Sequence, residues 1–172
     1  SRRTLREDQY SFAPVVLGVD VARYGDDSCV IMRRQGLGSF APLVWQGIDN
    51  MTFAGHVAQQ ITQHKPDAVF IDAGHGQGVI DRLRQLGFHV IEVHFGGAAG
   101  HPRFKNKRAE MWYSMADWIR QGGVIPADSR LKQDLATPTY SYDKAGKIQL
   151  EAKDDIKARG LPSPDIADAL AL

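Results

Sequence analysis

Three aspartates stand at the ends of predicted strands or helices, and carboxylates in such positions can do chemistry. Asp20 follows the β-branched run at residues 15–19, Asp72 follows the apolar run at 68–71, and Asp165 follows Ser163-Pro164. A buried carboxylate needs a cation, several hydrogen bonds or a metal ion. Hard oxygen ligands with few histidines or cysteines favour Mg²⁺ or Mn²⁺ over zinc. The pattern predicts a site for two such ions, which can hydrolyse a phosphodiester; the alternative is that each aspartate only caps a turn or a helix.

Four other polar residues lie close in sequence to these three aspartates. Asp168 lies one helical step beyond Asp165 and shares its face, so it is the second choice for the third metal ligand. Asp26 and Asp27 fall in the turn after Asp20, and we assign them to capping that turn. His75 could orient water or contact phosphate beside Asp72, although a lone loop histidine more often does neither.

The elements that must position the carboxylates predict an α/β fold with a mixed sheet flanked by helices. The sequence pattern predicts a three-strand antiparallel meander over residues 15–20, 29–33 and 40–48, followed by a helix that starts near residues 49–52. Strand-helix-strand alternation over residues 68–93 predicts parallel strands that extend this meander. Ligands of such sheets sit beyond the carboxyl ends of the parallel strands, where Asp72 and the predicted glycine loop at 73–78 lie.

The second half of the chain predicts short elements separated by loops. Residues 94–104 are glycine-rich and predict a mobile loop. Ser163 as N-cap and Pro164 at the first helical position predict a final helix. Between these segments the patterns predict a helix that ends at Gly122-Gly123, a helix over 128–136, a hairpin over 139–150 and a helix-compatible stretch over 151–160.

Basic residues gather just before the first of these helices. Lys105, Lys107 and Arg108 lie where cations oppose the helix dipole, which favours an anion nearby. We predict that they contact DNA phosphates together with Lys153, giving affinity with little sequence information. A solvated basic face is the alternative.

Composition limits the classes of function. The 172 residues carry a net charge of +1, so any nucleic-acid surface must be local. Cys29 is the single cysteine and excludes an internal disulfide or a cysteine zinc site. No P-loop motif and no apolar run of membrane-spanning length occurs. Residues 1–14 predict a linker and residues 15–172 one domain, which we expect to be excised from a longer protein.

Four motifs carry a resemblance to a known family, and together they cover nearly the whole chain after the linker. They are Gly18-Val19-Asp20-x-Ala22, Phe70-Ile71-Asp72, Lys105-Asn106-Lys107-Arg108-Ala109-Glu110-Met111-Trp112 and Ser163-Pro164-Asp165-Ile166-Ala167-Asp168-Ala169-Leu170. This order resembles the nuclease domain of the large terminase subunits of tailed bacteriophages.

The resemblance implies an RNase H-like fold and a divalent-metal endonuclease that cuts concatemeric viral double-stranded DNA during packaging. It implies that Asp20, Asp72 and Asp165 are the catalytic metal ligands, with Mg²⁺ or Mn²⁺ as the cofactor. It further implies an ATPase motor before residue 1, the small terminase subunit and the portal as partners, and a location in the host cytoplasm.

Rival functions remain open on the sequence. A Holliday-junction resolvase or an RNase H keeps the fold and changes the substrate. A non-catalytic nucleic-acid binding module would bind DNA without metal-dependent cutting. An actin-like or sugar-kinase phosphate site ranks last, because no second glycine-rich phosphate turn follows.

Overall fold

The computed structural model describes residues 4–23 and 27–172, and within them a mixed sheet lies between two layers of helices. The strands are β1 (Val15–Asp20), β2 (Cys29–Gln35), β3 (Gly38–Ser39), β4 (Leu43–Trp45), β5 (Ala68–Asp72), β6 (Ile91–Val93), β7 (Tyr140–Tyr142) and β8 (Ile148–Leu150). The helices are α1 (Asn50–His64), α2 (Ala73–Gln85), α3 (Lys107–Arg120), α4 (Ser129–Ala136), α5 (Lys153–Ala158) and α6 (Asp165–Ala171), preceded by a 3₁₀ turn at Glu7–Gln9.

The sheet has the predicted topology. Its order is β3-β2-β1-β5-β6, with β4 also paired to β2. The pairs β1–β2, β2–β3 and β2–β4 are antiparallel, whereas β1–β5 and β5–β6 are parallel. The prediction of an antiparallel meander extended by parallel strands is therefore confirmed, although the third strand of the meander is shorter than predicted. Strands β7 and β8 form the predicted separate hairpin.

Period-two alternation along β1 decides which side chains face the site. Leu17 and Val19 are fully buried against α1 and α2 on one face of the sheet. Gly18 and Asp20 therefore point to the opposite face. That face is covered by α3, α4 and α6, whose buried side chains form a second core with Val30 and Met32 of β2.

Helix α6 crosses the sheet in direct backbone contact with β1. A Cβ atom on Gly18 would lie 2.0 Å from the carbonyl oxygen of Ala169, so no larger residue fits there. The missing side chain lets the helix backbone approach the strand. This close approach brings the first turn of α6 to the carboxyl end of β1.

Several local predictions are wrong in detail. Residues 73–78 form the start of α2 and not a loop, because the Asp72 side chain caps the helix directly after the strand. Gly76 lies in close contact with Val21 and Ile71, so this glycine serves helix packing. The N-cap of α6 is Pro164, not Ser163.

The predicted turn after Asp20 is only partly described. Tyr24, Gly25 and Asp26 lie outside the described residues.

Within the described part of the chain, no helix is long and apolar enough to cross a membrane.

Candidate active site

Asp20 and Asp72 end two neighbouring parallel strands on the same face of the sheet. Val19 is aligned with Ile71 in the β1–β5 register, so the two aspartates come next along their strands. The residues before them, Val19 and Ile71, point into the core under α1 and α2. Successive side chains of a strand point to opposite faces, so both carboxylates point toward α6. Repulsion by Asp72 contributes to the raised pKa of Asp20, as expected for carboxylates that are close. The sequence argument about strand ends thus describes their arrangement correctly.

Helix α6 adds two more carboxylates, both fully enclosed by protein. Asp165 opens the helix, and Asp168 lies one turn later on the same side. Their exposures are 2% and 0%, and that of Asp20 is 2%. Carboxylates are rarely buried to this extent without paired charge.

The cation among these three aspartates is Lys153, the first residue of α5. Its Nζ lies 3.2 Å from Asp20 Oδ2, 3.0 Å from Asp168 Oδ2 and 3.5 Å from Asp165 Oδ1. Burial lowers the pKa of Lys153, but Asp20, Asp168 and Asp165 outweigh it and hold the pKa well above its usual value. We predicted Lys153 as a phosphate contact; in the structure its ammonium group instead faces carboxylates.

Both oxygens of Asp165 also receive hydrogen bonds from neutral groups. The Ser163 hydroxyl donates to Oδ1 at 2.6 Å, and the Ser28 backbone N–H donates to Oδ2 at 2.8 Å. Ser28 and Ser163 are themselves buried. The carboxylate is therefore held in one orientation from two directions, which a metal ligand requires.

Asp168 is tied to α3 instead. Its Oδ1 accepts hydrogen bonds from Arg108 Nε at 3.1 Å and from Trp112 Nε1 at 2.7 Å. Burial raises the pKa of Asp168, but Lys153, Arg108 and Trp112 together bring the pKa below its ordinary value.

Arg108, which we predicted as a DNA phosphate contact, is buried in the structure. The residue is only 8% exposed, and besides Asp168 it donates to the backbone carbonyl of Glu151 at 2.8 Å. A sequence signal for this burial exists, because Arg108, Trp112 and Met115 follow the i, i+4, i+7 spacing of one helix face.

The Asp72 carboxylate lies on the more open rim of the site. Its Oδ1 accepts the backbone N–H groups of Gly74 and Phe95, each at 3.3 Å. Phe95 is the second residue of the glycine-rich stretch at 94–104, which we predicted to be a mobile loop. Glu110 instead fastens that loop to α3 by accepting the N–H groups of Gly100 and His101 at 3.1 and 2.8 Å.

The remaining predicted residues line one of two clefts or form ion pairs. Lys105 is exposed and donates to Gln149 at 2.9 Å, beside a cleft of about 380 Å³ between the start of α3 and the β7–β8 hairpin. The Nζ of Lys107 pairs with Glu110 at 2.8 Å. Asp27 pairs with Lys157 of α5. His75 is exposed and lines a second cleft, of about 430 Å³, together with Asp27.

Negative charge exceeds positive charge at the site. Among the residues that the structure describes, the four carboxyl groups of the site have two cations beside them, Lys153 and Arg108; the four are Asp20, Asp72, Asp165 and Asp168. Burial raises the pKa of Asp20 well above its usual range; Lys153 opposes that shift, while repulsion by Asp168, Asp165 and Asp72 adds to it. The site therefore favours an additional cation.

The donor chemistry fits a hard divalent ion. The side-chain oxygens that converge around Lys153 are all carboxylate oxygens, the ligands that Mg²⁺ and Mn²⁺ prefer. Over residues 4–23 and 27–172, no group of three or more Asp, Glu, His or Cys side chains is placed so that it could hold a metal ion. Asp20, Asp165 and Asp168 are arranged around the Lys153 ammonium, which marks the place where positive charge is stabilised.

Comparison with solved structures adds an independent finding. The nuclease domain of the large terminase subunit of bacterial virus Sf6, a lysine-to-alanine variant solved with manganese and β-thujaplicinol, is similar with a TM-score of 0.77 at 21% identity, over 92% of this chain and 86% of that one. The fold is that of a phage terminase nuclease domain. The RNase H-like fold implied by the motif resemblance is thereby confirmed.

Two further terminase nuclease domains have the same fold. That of thermophilic phage G20c has a TM-score of 0.68 at 15% identity, over 92% of this chain and 81% of that one, and was also solved with bound magnesium. That of Thermus phage P74-26 has a TM-score of 0.68 at 14% identity, over 94% and 78% of the two chains. No protein-family model and no curated protein matches the sequence.

Sequence reasoning missed the groups that support the carboxylates. The sequence patterns did not indicate which residues bind or orient the carboxylates: Lys153 as the ion partner, Ser28, Ser163, Trp112 and Asp134. Asp20 and Lys153 are 133 residues apart, so no local spacing reveals their contact. Asp134 carried a signal, because it shares a helix face with the buried Leu131 three residues earlier.

Proposed function

We propose that this chain is the metal-dependent DNA endonuclease domain of a phage terminase large subunit, cleaving concatemeric double-stranded DNA during genome packaging. The observation that carries the proposal is a set of carboxylates at the carboxyl end of β1 and β5, closed by α6, on the fold of terminase nuclease domains. The manganese and magnesium in the solved relatives support divalent-metal use.

Asp20, Asp72 and Asp165 are the residues we assign to holding Mg²⁺ or Mn²⁺, with two ions expected. Asp168 is the weaker candidate, because Arg108 and Trp112 already occupy its Oδ1. When bound, divalent ions supply a lowered pKa for the attacking water and stabilisation of the leaving oxygen. The protein's own part is to hold the carboxylates rigidly, through Ser28 and Ser163 at Asp165.

Lys153 has two roles in this proposal. Without metal its ammonium compensates the buried carboxylates, and it must move away from Asp20 and Asp165 for a divalent ion to bind there. Once released, its long side chain can reach a DNA phosphate, as predicted from the sequence. The remaining phosphate contacts we propose are Lys105, which lines the cleft by the hairpin, and Lys107, two residues later in the chain.

The wider assignments follow from the same proposal. Residues 1–14 are a linker from a preceding ATPase domain, and residues 15–172 are the nuclease domain. The partners are double-stranded DNA, the small terminase subunit and the portal, in the cytoplasm of the host cell.

Cleavage of supercoiled plasmid tests the proposal. We expect linear and nicked products with Mg²⁺ or Mn²⁺ and none with EDTA. Asp20→Asn, which keeps the side-chain shape, should reduce cleavage at least about 100-fold because a ligand to the metal loses its charge. Asp81→Asn is the matched control, since Asp81 is an exposed aspartate of α2 bonded to Gln77.

Substrate comparison separates the rival functions. Faster cleavage of a four-way junction or of an RNA:DNA hybrid than of linear duplex would favour a resolvase or an RNase H. Metal-independent binding without cleavage, by a folded protein with any of these substrates, would favour a binding module. Full cleavage by folded Asp20→Asn would contradict the assigned site.

A further inference from the structure

Asp134 of α4 is a buried carboxylate that the proposed chemistry does not use. It is 1% exposed, and its Oδ2 accepts the backbone N–H groups of Ile166 at 2.9 Å and of Ala167 at 3.4 Å. Those two residues directly follow Asp165. A carboxylate from another helix therefore binds the backbone of the turn that carries the proposed ligand.

Helix α6 lacks a cap of its own. Its N-cap residue is Pro164, which makes no side-chain cap hydrogen bond. The first N–H groups of a helix have no partner within the helix, and leaving them unpaired in a buried position is costly. Asp134 satisfies two of them from outside and fixes where the helix begins.

A second residue of α4 reaches Asp165 from the other direction. Arg130, one turn before Asp134, donates from Nη2 to the Ser28 hydroxyl at 2.7 Å. The backbone N–H of Ser28 in turn donates to Asp165 Oδ2 at 2.8 Å. Two residues at i and i+4 of a single helix thus act on the backbone that directly follows Asp165 and, through Ser28, on the Asp165 carboxylate.

We infer that Asp134 and Arg130 are positioning residues: α4 sets the orientation of the Asp165 carboxylate toward a divalent ion, Asp134 by capping α6 and Arg130 through Ser28. The inference rests on the proposed function, because it requires Asp165 to be a metal ligand. Groups that orient a ligand from behind affect metal affinity strongly without touching the ion.

Titration calorimetry with MnCl₂ on the folded protein tests this inference. Asp134→Ala removes the acceptor and should weaken Mn²⁺ binding about 10-fold or more. Asp134→Asn keeps a carbonyl oxygen in the place of Oδ2 and should stay within about threefold of wild type, since a neutral acceptor suffices for both N–H groups. Rescue by asparagine identifies the hydrogen bonds as the cause.

Asp128→Ala is the matched control within the same helix. Asp128 caps α4 by accepting the N–H of Leu131 at 2.8 Å, so its loss costs stability without touching α6. We expect Asp128→Ala to lower the melting temperature and leave Mn²⁺ affinity unchanged. Arg130→Met keeps Asp134 in place, releases Ser28, and should weaken Mn²⁺ binding several-fold; it provides the test if Asp134→Ala does not fold.

The outcomes separate this inference from the proposed function. If wild type binds Mn²⁺ and folded Asp134→Ala and Arg130→Met bind it equally well, the positioning role is wrong while the metal site stands. If Asp128→Ala loses as much affinity as Asp134→Ala, general destabilisation is the cause and the inference is overturned. If wild type binds no Mn²⁺, the proposed function fails and this inference fails with it.

Discussion

The carboxylates of the candidate site are stabilised differently on its buried side and on its exposed rim. On the buried side, Asp20, Asp165 and Asp168 are at most 2% exposed and require Lys153 and Arg108 as counter-charges. On the rim, Asp72 is partly exposed and receives two long hydrogen bonds from the backbone N–H groups of Gly74 and Phe95. The comparison shows that burial, rather than residue type, determines how much supporting structure a carboxylate needs.

The supporting structure differs accordingly. The buried carboxylates are fixed by side chains of α3 and α5 and, through Ser28, by Arg130 of α4. Asp72 is fixed by the start of α2 and by the loop that Glu110 fastens. Variants of the buried side should therefore affect the stability of the whole domain, whereas variants of the rim should have local effects.

Removing Arg108 tests the buried side most severely. Arg108→Ala leaves Asp168 without its guanidinium partner and should lower the free energy of unfolding by about 3–5 kcal/mol, as for other broken buried ion pairs. Arg120→Ala is the control in the same helix, because Arg120 pairs with Asp117 at the surface and should cost less than about 1 kcal/mol. Guanidinium unfolding measures both, and equal losses would contradict the contrast.

Separating α6 from β1 comes next in size. Gly18→Ala forces a methyl group onto the Ala169 carbonyl and should cost roughly 3 kcal/mol through overpacking. Gly55→Ala is the control, since Gly55 lies in α1 with open space around its Cβ position and should gain up to about 1 kcal/mol from helix propensity. A Gly18→Ala protein as stable as wild type would show that the close approach of α6 is not required.

The pH dependence of stability should have opposite sign on the two sides. Burial raises the pKa of Asp134 to about 7, despite hydrogen bonds from Ile166 and Ala167 that lower it. The folded state therefore binds this proton more tightly than the unfolded state, and stability from this group falls as pH rises from about 4 to about 7. The slope approaches about 1.4 kcal/mol per pH unit, and Asp134→Asn should remove it.

Glu110 on the rim behaves in the reverse way. The Lys107 ammonium and the N–H groups of Gly100 and His101 lower the pKa of Glu110 to about 2. Its stabilisation is complete above pH 4.5 and is lost as pH falls toward 2. Unfolding curves of wild type, Asp134→Asn and Glu110→Gln between pH 3 and 8 measure both effects. If Asp134→Asn keeps the wild-type dependence of the unfolding free energy on pH, that dependence comes from other groups.

Sequence reasoning worked where local patterns determine the structure. The strand-end positions of Asp20 and Asp72, the meander and the last helix follow from alternation and helix-start signals within short segments. The start of α2 was mispredicted because glycines were interpreted as a loop, whereas Gly76 allows the helix to pack against Val21 and Ile71. Tertiary packing, and not the local sequence pattern, determines that residues 73–78 are helical.

The supporting contacts of the site could not be predicted in the same way. Lys153 meets Asp20 across 133 positions, and Asp165 meets the Ser28 N–H across 137. Such pairs arise only once the sheet and α6 are assembled. The charge of Arg108 suggested a surface role, although its spacing with Trp112 indicated a buried face.

The most direct test of the account is anomalous diffraction from crystals of the domain soaked in MnCl₂. We predict manganese peaks bonded to Asp20, Asp72 and Asp165, with the Lys153 ammonium displaced from the position between the carboxylates that it occupies without metal. Manganese absent from these aspartates, with Lys153 still between Asp20 and Asp168 at saturating MnCl₂, would contradict the claim that this buried acidic cluster is the metal site.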